Sequence, residues 1–170
     1  MAKFEMKGME AYIKQLEDVA WASKYVCRAA VFAGADVVAN EIRAGIQKLK
    51  TVSNAAAITA YNAKKPTYIS EPQKRGLEES LGVAPIRENM GSYDTKIGFD
   101  SYNDIATERW PGGQPNAMVA RACNNGSTAM LKQPFIRDAI RRSVSPALDA
   151  MNEAANKKVE EIMEGKNGRK

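Results

Sequence analysis

The chain has 170 residues, 44% hydrophobic and 26% charged, an ordinary balance for a single globular domain with a real core. No apolar run approaches the ~20 residues a bilayer-spanning helix needs, and the charged start MAKFEMKGME lacks the apolar stretch of a signal peptide, so the cytoplasm is the expected compartment. A net charge of +5 and a pI near 9.2 bring nucleic acid or another anionic surface into consideration as a partner.

In chain order, GMEAYIKQLED (8–18) reads as a short helix with Met9, Tyr12, Ile13 and Leu16 on one stripe. A longer helix follows from about Val19 to Leu49, with Val26, Ala30, Ala33, Val37 and Ala44 near one face and Phe32, Val38 and Ile42 widening it. Small residues are dense there (Ala29, Ala30, Ala33, Gly34, Ala35, Ala39) and would let another backbone approach closely. From Thr51 to Ser70 no period survives, and Lys64-Lys65-Pro66 interrupts the run. A structureless stretch of that length is uncommon in a compact domain, so 51–70 reads either as a projecting, mobile arm that orders on a partner or, about equally, as an ill-defined loop that touches nothing.

EPQKRGLEESL (71–81) begins with Ser70 as N-cap, Pro72 in the first turn and Gln73 three residues after the cap, a capping-box pattern. Gly76 weakens this short helix and Gly82 is placed to end it. Val83–Glu88 and Tyr93–Phe99 read as strands joined by the ENMGS turn. Tyr93, Thr95, Ile97 and Phe99 share one face, and Gly98 suggests a bulge. Residues 100–116 are a loop, with Trp110-Pro111-Gly112-Gly113 as its turn, and AMVARAC (117–123) fits a third strand or a helix almost equally.

The polar turn Asn124–Thr128 leads to Gln133-Pro134-Phe135-Ile136, where Pro134 suits a first helical turn. Phe135, Ile136, Ala139 and Ile140 recur at helical spacing, with Arg137, Arg141 and Arg142 on the other side. Ser143-Val144-Ser145-Pro146 repeats the cap-then-proline grammar, so a kink or restart is expected at Pro146. Val144, Leu148, Met151, Ala155, Val159 and Ile162 then form a sustained apolar stripe, and the tail from Gly165 is expected to fray.

Little in the sequence assembles chemistry. With no histidine, the commonest general base and zinc ligand are both missing. Gly112-Gly113 lacks the context of a phosphate loop, and the acidic pairs Glu78-Glu79 and Asp100/Asp104 read as solvated surface. Cys27 and Cys123 read as reduced, mostly buried thiols. The basic pairs (Lys48/Lys50, Lys64/Lys65, Lys74/Arg75, Arg141/Arg142, Lys157/Lys158) are dispersed and lack interleaved aromatics. Arg137 and Arg141, one helical turn apart, serve either as surface charge or as a grip on phosphates or partner carboxylates. Trp110 either plugs the domain or anchors an interface.

From Gly8 to Ile162 the order of features resembles the head–tail joining, or tail-completion, proteins of the tailed bacteriophage neck. The matching pieces are the glycine-started helix and the alanine-rich helix through Ile46, then Arg75-Gly76-Leu77-Glu78-Glu79-Ser80-Leu81-Gly82-Val83, then Lys96-Ile97-Gly98-Phe99. Last come Gly126-Ser127-Thr128 and Gln133-Pro134-Phe135-Ile136-Arg137-Asp138-Ala139. Asn124-Asn125 stand where the family usually carries a glutamate and an aromatic, and the segment between Ile46 and Gly76 is longer than usual.

The resemblance implies an α+β fold, a small antiparallel β-sheet packed against a long N-terminal helix and a long amphipathic C-terminal helix, with extended loops. It implies a structural protein with no catalytic, cofactor or metal site. Its place is the virion neck, after a stay in the host cytoplasm. Its partners are its own copies in a hexameric or dodecameric ring, the phage connector or head-closure proteins, and the tail terminator or tail tube. Basic residues would touch genomic DNA in the lumen or pair with acidic neighbours in the ring. The residues expected at partner interfaces are Tyr61, Tyr68 and Trp110 on the arms 51–70 and 100–116, with Phe135, Arg137 and Arg141 on the C-terminal helix. A small basic nucleic-acid-binding protein is the alternative.

Overall fold

The computed structural model describes residues 9–107 and 109–164. Gly8, where the first short helix was expected to start, and the tail from Gly165 lie outside them. The fold is α+β, dominated by two long helices packed on each other with small strand pairs at one side. Helix α1 spans Met9–Gln47 without a break, 39 residues, so the two expected N-terminal helices are one. No proline or glycine separates Asp18 from Val19, and nothing there stops propagation.

Strand β1 (Thr51–Val52) leads into α2 (Asn54–Asn62), which Ser53 caps by accepting the Ala56 N–H. Strand β2 (Ile69–Ser70) then pairs in parallel with β1. The expected structureless arm at 51–70 is therefore a capped helix held between paired strands. Its alanine run (Ala55, Ala56, Ala57) supplies helix propensity without an apolar period, which is why the pattern was invisible. No residue of α2 is buried.

Helix α3 (Glu71–Ser80) carries the expected capping box, Ser70 and Gln73 satisfying each other's backbone N–H groups. It passes directly into β3 (Leu81–Val83), so Gly82 is a strand residue and not the helix stop. The expected hairpin is present but split. Strands β4 (Arg87–Asn89) and β5 (Ser92–Asp94) flank a two-residue turn in which Met90 and Gly91 both take positive φ, while β6 (Ile97–Phe99) pairs antiparallel with β3. Gly98 faces Gly82 in regular register, without the expected bulge. Residues 93, 95, 97 and 99 are the half-buried set, as their alternation implies.

AMVARAC lies in helix α4 (Asn116–Asn125), the alanine-favoured alternative, which buries Val119, Ala120 and Cys123. Helix α5 (Phe135–Met163) is continuous through Pro146, without a restart there. The core gathers Ile42, Ile46 and Leu49 of α1 with Ile69, Leu77, Leu81, Val119, Cys123, Phe135 and Ala139.

Helices α1 and α5 are antiparallel: Gly45 faces Phe135, and Gly34 faces Ala147 and Met151. They lie close. A Cβ on Gly45 would sit 3.3 Å from the Phe135 carbonyl oxygen, and one on Gly34 would sit 2.6 Å from Met151 Cγ. On α5 the seam is Ala139, Ser143 and Ala147, 0%, 1% and 8% exposed, whereas Ile140, Val144 and Leu148 are 49%, 55% and 55% exposed. Of the expected apolar stripe, Val144 and Leu148 face outward, Met151, Ala155 and Val159 are half-buried, and Ile162 is buried. Ser143 enters the seam without an unmet donor because its hydroxyl bonds the Ile140 carbonyl.

The stretch before α5 ties the body together. Gln133 binds Lys50 at both backbone groups, accepting its N–H at 2.8 Å and donating to its carbonyl at 3.1 Å. Asn124 Oδ1 accepts the first-turn N–H groups of Ile136 and Arg137, supplying from α4 the cap that Pro134 cannot.

Two consequences are measurable by urea denaturation of dilute protein. Ala139→Leu overfills the seam and is expected to cost about 1–3 kcal/mol although it adds apolar volume. Val144→Ser should stay within about 0.5 kcal/mol, and a larger loss at Val144 than at Ala139 would reverse the assignment of faces. Asn124→Ala is expected to cost about 1 kcal/mol, whereas Asn124→Asp, which keeps the acceptor beside a helix N-terminus, should retain most of the stability.

Candidate partner interface

Ile42 and Ile46 of α1 and Phe135 and Ile162 of α5 are buried, but where small residues line the helix seam the neighbouring large apolar side chains point outward. On α5 these are Ile140, Val144 and Leu148, four residues apart and so on one ridge. On the middle of α1 they are Trp21, Tyr25 and Phe32. The Trp21 and Tyr25 rings lie 6.3 Å apart, and the Lys24 ammonium is 5.7 Å and 5.0 Å from the two centroids. Nearer the start of α1, Met9, Tyr12, Ile13 and Leu16 form a third exposed stripe at spacings of three and four. Isolated exposed apolar residues are unremarkable, but three ordered ridges on two helices are the candidate contact surfaces of the described residues.

The residues singled out from the sequence fall on separate elements. Tyr61 stands on α2 with 72% of its surface open. Tyr68 is half-buried before β2, with the Lys50 ammonium 5.8 Å from its ring. Trp110 is half-buried in the 100–115 loop, its N–H shared between the Thr107 carbonyl and hydroxyl and its ring 5.7 Å from the Arg109 guanidinium. Phe135 is no surface residue: it is 6% exposed and meets Phe99 edge-on at 6.2 Å, so it holds the core and not a partner. Arg137 and Arg141 are exposed, Arg141 only 3.8 Å from Asp138, and both flank the Ile140–Leu148 ridge.

That ridge was legible only as an apolar stripe, and large residues at helical spacing ordinarily face the core. The signal that reverses the reading is the all-small line Ala139, Ser143, Ala147 one position earlier, opposite Gly34 and Gly45.

No group of three potential metal ligands exists among the described residues, and no helix among them is long and apolar enough to cross a membrane. A cavity of about 40 Å³ beside Gly76, lined by Arg75, Glu79, Asn103, Asp104 and Asn116, has room for about one water molecule and none for a substrate. Comparison of the chain with known protein families, characterised proteins and solved structures gives no match in any of the three.

Both thiols are free, but Cys27 is exposed, contrary to the expectation of burial, while Cys123 is buried. Burial pushes the Cys123 thiol up from 9.0 to about 11, against a smaller opposing pull from the Gln133 amide. The folded state therefore favours the protonated thiol, and the stability it contributes is complete below pH 9 and lost as pH rises toward 11. At pH 8 an aromatic disulfide reagent is expected to titrate Cys27 alone in the folded protein and Cys123 only after urea is added. Two equally fast thiols in the folded chain would contradict that burial.

Proposed function

We propose that this protein is a structural subunit of the tailed-phage neck, forming a ring that joins the head and portal–connector complex to the tail during assembly. The carrying observation is the arrangement of the two long helices. The middle of their mutual seam is lined by small side chains (Gly34, Gly45, Ala139, Ser143, Ala147), leaving ordered ridges of large apolar residues free for other chains. A ring subunit needs two complementary faces on a stiff body, and a 39-residue helix braced by a 29-residue one supplies the body. The order of sequence features shared with the neck family supports the same reading, as does α2, a projecting helix with no buried residue that suits contact with a neighbouring neck layer.

Light scattering across a range of concentrations tests this. The expected result is a mass of ring size, reached alone or on mixing with the connector and tail-terminator proteins of the same virion. A chain that stays monomeric with those proteins, yet binds DNA with an affinity falling steeply with salt, would replace the neck reading with nucleic-acid binding.

A further inference from the structure

We propose that copies of this chain join head to tail, the exposed start of α1 in one copy lying antiparallel along the Ile140–Val144–Leu148 ridge of α5 in the next. The contact takes its partner, a second copy, from the ring reading above; its geometry comes from the following observations.

The register of the helix pair sets Gly34 opposite residues 147–151 and Gly45 opposite Phe135. Extending it one residue for one residue brings Met163, the end of α5, opposite about residue 20 of α1. Ala22 is accordingly the first buried residue of α1, and Met9, Tyr12, Ile13 and Leu16 lie beyond the last turn of α5. The same register places the Ile140–Leu148 ridge beside residues 34–41 of α1, so the two surfaces are separated by about 24 residues, or roughly 36 Å, along one rigid hairpin. They cannot meet within a chain. Each copy thus carries one of each, which makes the contact heterologous and repeatable.

The surfaces match in length and charge. From Met9 to Leu16 is about 10 Å of helix and from Ile140 to Leu148 about 12 Å. Glu17 follows Ile13 by one turn and flanks the α1 stripe, whereas Lys14 points to the opposite side. Arg137 and Arg141 flank the α5 ridge at its Ile140 end, and neither Arg137 nor Glu17 has a salt bridge among the described residues. Only the antiparallel arrangement sets Leu16 on Ile140 and brings Glu17 to Arg137 and Arg141; the parallel one carries Glu17 toward Asp149. Seven apolar side chains make a small contact, so assembly by this route depends on concentration.

The test uses full-length chains in which Cys27→Ser removes the exposed thiol. One carries Leu16→Cys and the other Val144→Cys, with a short bismaleimide as the linker. A cross-linked dimer from the mixture, and little from either chain alone, is the expected result. Equal cross-linking of either chain alone would mean a two-fold contact and overturn the proposal, as would absence of the mixed product at concentrations where light scattering reports assembly. Charge reversal gives an independent readout. Glu17→Arg and Arg137→Glu should each move assembly severalfold higher in concentration, and the doubly reversed chain should recover; single variants that assemble like the parent would count against the contact. A ring mass without the mixed product sinks this contact and leaves the neck reading standing, while mixed product in open filaments supports the contact and removes the ring.

Discussion

The fold depends on how closely α1 and α5 approach. Gly45 lies against the Phe135 backbone and Gly34 against Met151, and Ala139, Ser143 and Ala147 answer them from α5. Close packing of small side chains gains dispersion contacts between backbones rather than the transfer energy of large residues. It also fixes the sliding register of the pair, since a glycine must face each bulky or backbone neighbour. Register, in turn, decides which part of α1 is covered by α5 and which part extends beyond it. The apolar positions that the seam does not use become surface.

The second constraint is polar and local. At the junction of α4, α1 and α5 the chain could not be closed by apolar contact alone, because backbone groups end there. Gln133 imitates a strand neighbour for Lys50, and Asn124 imitates a helical turn for Ile136 and Arg137. Thr67 adds backbone bonds to Ala129 and Leu131 on the same segment. Each such bond contributes only about 1 kcal/mol. Together the two side chains hold the start of α5 where Phe135 enters the core.

What could be read from the sequence divides along the range of the interactions involved. The Ser70–Gln73 capping box, the Trp110–Gly113 turn and the alternation of Tyr93, Thr95, Ile97 and Phe99 depend on residues within a few positions of each other, and each has the expected form. AMVARAC depends on more: its helix follows from packing Val119, Ala120 and Cys123 into the core, a choice that alanine propensity alone left open. On α5 the expected inward face holds at Phe135, Ala139 and Ile162, whereas Ile140, Val144 and Leu148 face outward, for a related reason. Size at helical spacing reports a partner, yet it does not say whether the partner is the same chain. That distinction lies in the glycines of α1, over a hundred residues away in sequence from Ala147. The exposure of Tyr61 and the burial of Phe135 follow the same logic, since neither is set by its own segment.

A surface of ordered apolar ridges also imposes a demand on the rest of the molecule. Heterologous contacts close into rings only when each step turns by a fixed angle; a flexible step gives filaments or aggregates. Rigidity between the two contact surfaces is what holds such an angle, and α1 provides it as one uninterrupted helix, braced along most of its length by α5. Pro146 is tolerated because α5 is supported against α1 on either side, by Ala139 and Ser143 before it and by Ala147 and Met151 after it. The Arg142–Glu41 pair at 3.1 Å adds a tie beside the seam. The net charge of +5 opposes random association through the exposed ridges. Stiffness, spacing of the two surfaces and uniform repulsion are what a subunit needs to join its own kind in one geometry. The small-residue seam serves the first two at once, because it locks the helices and in doing so turns Ile140, Val144 and Leu148 outward.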